Sequence, residues 1–203
     1  MKNLLFVLLA FTASLSYAQA PAIEWEAFLP GNCSYIVGGR QTADGGYIAF
    51  SGDNSCGSDD SDVFKLDAEG NIVWTTNFGN AGESYNETHV VRQTPDGGYI
   101  VAGGVSADWE NIYHWAAKLD ADGHVEWEQL YDDGNSTTWN RIIDILPTPD
   151  GGYIATGIVE NLDTGVKDIQ VLKLDGEGNI EWTKEYGGSG EEESTGIQLT
   201  ADG

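Results

Sequence analysis

Four carboxylates, Asp53, Asp59, Asp60 and Asp62, crowd one short stretch around Cys56. Calcium is a hard cation that takes roughly six to eight oxygen ligands, so such a loop is where this sequence would put one. A solvated acidic loop is the plainer reading of the same residues. The run "DADG" at Asp120 to Gly123 is a poorer candidate. A calcium loop of the EF-hand type needs alternating carboxylates, a glycine and a distant bidentate acid, and this run is too short for that. It reads instead as a hairpin turn. The histidines His89, His114 and His124 have no metal-ligand spacing and sit beside no nucleophile motif. His114 falls inside an apolar run and reads as a packed core residue. Acids are abundant, yet no pair is marked out for glycoside hydrolysis. Cofactors are therefore expected to be absent, with calcium at the Asp53 to Asp62 cluster as the exception.

Aromatic side chains supply a different chemistry, since ring faces stack on sugars and other apolar surfaces. Trp109 lies in "SADWEN", while Tyr85 and Trp139 each stand 11 residues before an Asp-Gly turn. These three are the candidate ligand-binding residues, with a glycan or a protein as partner. The competing reading is that recurrent aromatics fill the seams between structural units.

The compartment is written at the N-terminus. "MKNLLFVLLAFTASLSYAQA" has a basic Lys2, an apolar run from Leu4 to Phe11, and small residues at Ala18 and Ala20. That is the layout of a secretory signal peptide over residues 1–20. The run falls short of the roughly 20 residues that span a bilayer, and no later stretch is apolar enough. The mature protein, 21–203, is expected outside the cytoplasm or at the cell surface. The chain carries 9 Lys+Arg against 33 Asp+Glu. Losing Lys2 makes the mature chain more acidic still. Nucleic acid and anionic lipid are disfavoured partners for such a surface.

Elements to position these residues come from a repeat. The turn aspartate recurs at Asp44, Asp96, Asp150 and Asp202, in steps of 52, 54 and 52. "TADGGYI" or "TPDGGYI" surrounds the first three. A second block follows each: "KLDAEGNIVW" to Trp74, "KLDADGHVEW" to Trp127 and "KLDGEGNIEW" to Trp182, while "AIEW" at Trp25 is the tail of an earlier copy. The repeats are placed at about 26–74, 75–127 and 128–182, with a partial unit at 183–203. Each unit reads as four short strands joined by glycine turns, as in "VVRQT", "YIVAGG", "YHWAAKLD" and "HVEWEQLY". Alternation in the fourth strand puts Ile72, Trp74 and Phe78 on one face, and likewise Val125, Trp127 and Tyr131, and Ile180, Trp182 and Tyr186. The third strand "IQVLKL" is apolar on both faces, as in a sheet covered on both sides. About 50 residues and four antiparallel strands per unit describe an all-β propeller. The expectation is an incomplete ring of about three and a half blades.

The pattern "TxDGGYIxxG", then "KLDxxGNIxW" and "YGG", resembles a repeat of secreted bacterial β-propeller proteins, many of which end in a C-terminal sorting domain. "LDxxGxxxW" is also similar to the tryptophan-docking motif of quinoprotein-type propellers, one residue shorter between Asp and Gly. The resemblance covers nearly the whole mature chain. It implies blade architecture, with more blades in most members, and names no ligand.

The function expected from these readings is an exported, non-catalytic propeller acting as a binding or adhesion scaffold, with self-association through open blade faces. The alternative is a carbohydrate-active or quinone-dependent propeller enzyme whose catalytic part lies elsewhere. Cys33 and Cys56, an even pair in an exported chain, are expected to form a disulfide; the rival is two free buried thiols. Closing that loop of 23 residues would contribute about 3 kcal/mol by the loop-entropy account. Thiol titration of the unfolded, unreduced protein is expected to find no free thiol, and two reactive thiols would rule the bridge out.

Overall fold

The computed structural model describes residues 35–52, 61–79, 85–106, 111–131 and 138–201. They form strands, turns and extended chain, with no helix among them. The first sheet holds β1 (Tyr35–Gln41), β2 (Tyr47–Gly52), β3 (Ser61–Leu66) and β4 (Ile72–Phe78). The second holds β5 (Tyr85–Gln93), β6 (Tyr99–Ser106), β7 (Tyr113–Leu119) and β8 (Val125–Tyr131). β9 (Thr138–Pro147), β10 (Tyr153–Asn161), β11 (Lys167–Leu174) and β12 (Ile180–Tyr186) make the third. Every sheet is antiparallel with its strands in sequence order. These are three propeller-like blades, and they close no barrel. The first strands β1, β5 and β9 approach one another in turn, so they are the inner strands. Cys33, Cys56, Trp109, Asp53, Asp59 and Asp60 lie outside the described residues.

Blade two is covered on both faces, whereas the third-blade strand "IQVLKL", expected to be so, buries Leu172 and Leu174 on one face and leaves Ile169 and Val171 of the other half-buried. Tyr99, Val101, Ala117 and Leu119 meet Ile48, Phe50, Val63 and Phe78 of the first blade. Ile100, Ala102 and Ala116 meet Ile142, Ala155, Leu172 and Leu174 of the third. Neighbouring blades are latched by tryptophan. Trp74 Nε1 donates to Ala121 O at 3.0 Å, and Trp127 Nε1 donates to Gly176 O at 3.1 Å. Both acceptors lie in the second hairpin turn of the next blade. Their rings rest on Gly123 and Gly178, whose φ values of 84° and 81° already favour glycine.

The faces of the fourth strands depart from simple alternation. Ile72, Val125 and Ile180 do not share the inward face of their tryptophans; they are 39%, 47% and 46% exposed. The cause is a β-bulge. Leu66 opposes Ile72 while Lys65 opposes Trp74, so β4 spends two residues where β3 spends one. The same shift recurs in β8 and β12. An inserted residue inverts the alternation on one side of it, which turns the first residue of each strand to solvent.

The Thr-x-Asp-Gly-Gly motif is explained by a buried lysine. Lys65, Lys118 and Lys173, from the "KLD" blocks, are 5%, 4% and 9% exposed. Their Nζ atoms reach Asp44, Asp96 and Asp150 at 2.9, 3.0 and 3.0 Å. Each also donates to the carbonyl of the following leucine. The other carboxylate oxygen accepts from the hydroxyl of Thr42, Thr94 or Thr148 and from the amide of Gly46, Gly98 or Gly152. Burial pushes the Asp96 carboxyl up, but the bonds from Thr94, Lys118 and Gly98 outweigh it and bring the group down to about 2. Asp96 thus stabilises the fold above the ordinary carboxyl value of 3.8, and that contribution is lost as pH falls toward about 2.

Both glycines of the turn are needed, for different reasons. Gly97 has φ +89°, whereas at Gly98 a Cβ would stand 2.3 Å from Leu119 O and 2.5 Å from Lys118 Nζ. Gly97→Ala is expected to cost about 1–2 kcal/mol from the left-handed backbone alone. Gly98→Ala must push β6 from β7 and should lower the melting temperature further. A smaller loss for Gly98→Ala than for Gly97→Ala in thermal melts would contradict the close approach.

Candidate functional site: an axial cleft lined by arginine

All three arginines of the chain, Arg40, Arg92 and Arg141, lie on inner strands. Arg40 and Arg92 each stand four residues before a turn aspartate, as do Leu146 and Gln198 in the following units. Hairpin register fixes the first two in the same way, with Arg40 opposite Ile48 and Arg92 opposite Ile100. These four equivalent positions, together with Asp144 and the extended chain at 195–199, line one open cleft of about 700 Å³. The far wall is tied down by contacts to the third blade. Glu192 N donates to Lys167 O at 2.9 Å, Lys167 Nζ pairs with Glu193 at 2.7 Å, and Thr156 Oγ1 donates to Ser194 Oγ at 2.8 Å. The pairing lowers the Glu193 carboxyl and raises the Lys167 amine.

The two arginines differ in their commitments. Arg92 donates to Asp144 Oδ1 through Nη2 at 2.6 Å and Nε at 3.3 Å, from the second blade to the third. Asp144 also accepts from Ile145 N at 3.0 Å and from Ile197 N at 3.2 Å. With the side chain of Asp144 only 10% exposed and that of Arg92 19%, the pair is largely desolvated. Arg40 is exposed and has no hydrogen-bond or ion-pair partner among the described residues. The repeat gives the reason: the position equivalent to Asp144 one blade earlier is Val90, which is buried in the core. Among the described residues the cleft therefore holds one internal ion pair and one guanidinium without a partner, whose planar fork of donors matches oxyanions.

The candidates expected from sequence fall elsewhere. Trp139 opposes Glu160 near the start of β9, half-buried, and its backbone bridges to Ile112 of the second blade. Asn140 N donates to Ile112 O at 2.7 Å beside it. That places Trp139 at a blade seam and not in the axial cleft. Tyr85 opens β5 opposite Ser106. Asp62 is on β3 and accepts from Asn77 Nδ2 at 2.9 Å. Among the described residues no group of three or more His, Cys, Asp or Glu is arranged to hold a metal ion. Asp120 caps its own turn by accepting from the amides of Asp122 and His124, which matches the hairpin reading. Those bonds, with that to the His124 ring, hold its carboxyl below the ordinary range. His114 is buried at 2% exposure within β7, as expected of a core residue.

Compared with known proteins, the chain matches no family model and no curated protein sequence. Apolar alternation and turn motifs do not mark the arginines. The available signal was a rare residue type at one offset from the turn aspartate in two units.

The contrast between the arginines is measurable without a ligand. Arg92→Ala strands the Asp144 carboxylate in a desolvated site and is expected to cost about 3 kcal/mol. Arg40→Ala should stay within about 0.5 kcal/mol of the parent. Denaturant titration of both variants checks this, and equal losses would mean that Arg40 has a structural partner.

Proposed function

We propose that this protein is an exported, non-catalytic repeat protein that works as a binding scaffold, with the axial cleft as its ligand site. The signal-peptide layout of residues 1–20 supports export. The observation that carries the binding reading is the charge inventory of the cleft. Its charged lining groups are Arg40, Arg92 and Asp144, and the last two are committed to each other. The uncommitted group is a guanidinium, which stays protonated throughout the working pH range and so grips ligands without transferring protons. The middle blade, packed on both faces, makes one wall rigid, and a preformed cleft loses little entropy when it binds. A glycan or the end of a peptide fits such a site by size.

The test is retention without turnover. The mature protein is expected to retain members of a panel of polysaccharides and peptides on a column and to release them chemically unchanged. Products formed by the folded protein and not by the boiled protein would overturn the non-catalytic reading.

A further inference from the structure

We infer that the ligand of the axial cleft is a small molecule bearing a single carboxylate, held by Arg40. The inference rests on the binding reading above and adds the ligand's chemical class.

Charge sets the first limit. The Arg92–Asp144 pair is neutral as a unit, so among the described residues the cleft lining offers one net positive charge, the exposed Arg40 guanidinium. The chain around it carries a formal charge of −24. A polyanion would be repelled over its whole length for the sake of one contact. A ligand with one negative charge gains that contact at the smallest long-range cost. Geometry sets the second limit. Arginine presents two parallel N–H donors that match the two oxygens of a carboxylate. Asp144 cannot serve as that carboxylate for Arg40, because Arg92 and the amides of Ile145 and Ile197 already occupy it.

The remaining walls describe the body of the ligand. Leu146, Ile197 and Leu199 offer an apolar side, while Thr195 and Gln198 offer hydroxyl and amide groups. At about 700 Å³ the cleft lies within the range of small-molecule sites. A sugar acid or a capped amino acid meets these conditions: one carboxylate, a compact frame and mixed polarity. Arg92 is a positioning residue here. Asp144 fixes it, and the pair ties the second blade to the third beside the cleft.

Calorimetric titration of the mature protein at low salt tests this with four probes: glucuronate, N-acetylphenylalanine, glucose and inorganic phosphate. At least one of the two carboxylates is expected to bind, more tightly than glucose or phosphate. Binding should weaken by about ten-fold or more in Arg40→Gln and should weaken as salt is raised. Arg40→Lys should recover part of the loss, since it restores the charge without the fork. Unchanged melting of both variants separates lost binding from lost folding. Preference between glucuronate and N-acetylphenylalanine tells a sugar acid from a peptide end. Glucose binding as well as glucuronate, or phosphate binding better than both carboxylates, would overturn the carboxylate assignment while leaving the binding scaffold standing. Failure of both carboxylates to bind, or equal binding by Arg40→Gln, would overturn it too. Chemical conversion of a probe would instead sink the non-catalytic reading.

Discussion

An ammonium group cannot be buried unless its donors are satisfied, and each blade of this protein buries one. Lys65, Lys118 and Lys173 sit buried on the third strand, where a hydrophobic residue would be the ordinary choice. The turn aspartate of the first hairpin meets part of that demand and the next leucine carbonyl another part. In the second and third blades the residue inserted by the fourth-strand bulge is glutamate. Glu126 and Glu181 reach the same lysines at 2.9 and 3.3 Å. In the first blade that position is Val73, so Lys65 relies on the other two. The lysine thereby joins the first hairpin, the third strand and, in two blades, the fourth. The turn it secures sets the register of the inner strand, and four residues upstream that register places Arg40 and Arg92 on the axial cleft.

Rigidity between blades has a second source. Trp74 and Trp127 meet Tyr99 and Tyr153 of the next blade edge to face, with centroids 5.5 and 5.9 Å apart. Thr76 and Tyr131 add hydroxyl bonds to Gly123 O and Gly178 O in the same turns. Trp182 holds the equivalent place in the third blade. It is 42% exposed, and Lys184 lies 5.4 Å from its ring centroid. Latches of this kind fix each fourth strand against the next blade, while the Arg92–Asp144 pair ties the inner strands of the second and third blades.

Repeat and blade were legible in the sequence because two motif blocks recur in phase, and because glycine turns divide each repeat into four short strands. The faces of Ile72, Val125 and Ile180 were not, since simple alternation cannot reveal a bulge inside a strand. The buried lysines were hidden for another reason: a charged residue in an apolar run reads as an edge or an outward position. Arginine at the axis was hidden by topology, because Arg92 and Asp144 are 52 residues apart and meet only once the blades stack. A trace remained in the sequence. Asp144 departs from its equivalents Val90 and Gly38, and such a break in an otherwise regular repeat marks a position with its own task. Trp139 shows the converse: an aromatic that recurs with the repeat sits at a blade seam.

The dependence of the blade on its buried lysine can be measured in isolation from any ligand. A double-mutant cycle of Asp96→Asn and Lys118→Met, read by denaturant unfolding, reports their coupling directly. The half-exposed carboxylate limits the Coulombic part, so a favourable coupling of about 1 kcal/mol is expected, with the two losses clearly non-additive. Losses that add to within about 0.3 kcal/mol would contradict the account, because the turn aspartate and the third-strand lysine would then be independent, and the recurring motif would owe its form to the turn alone.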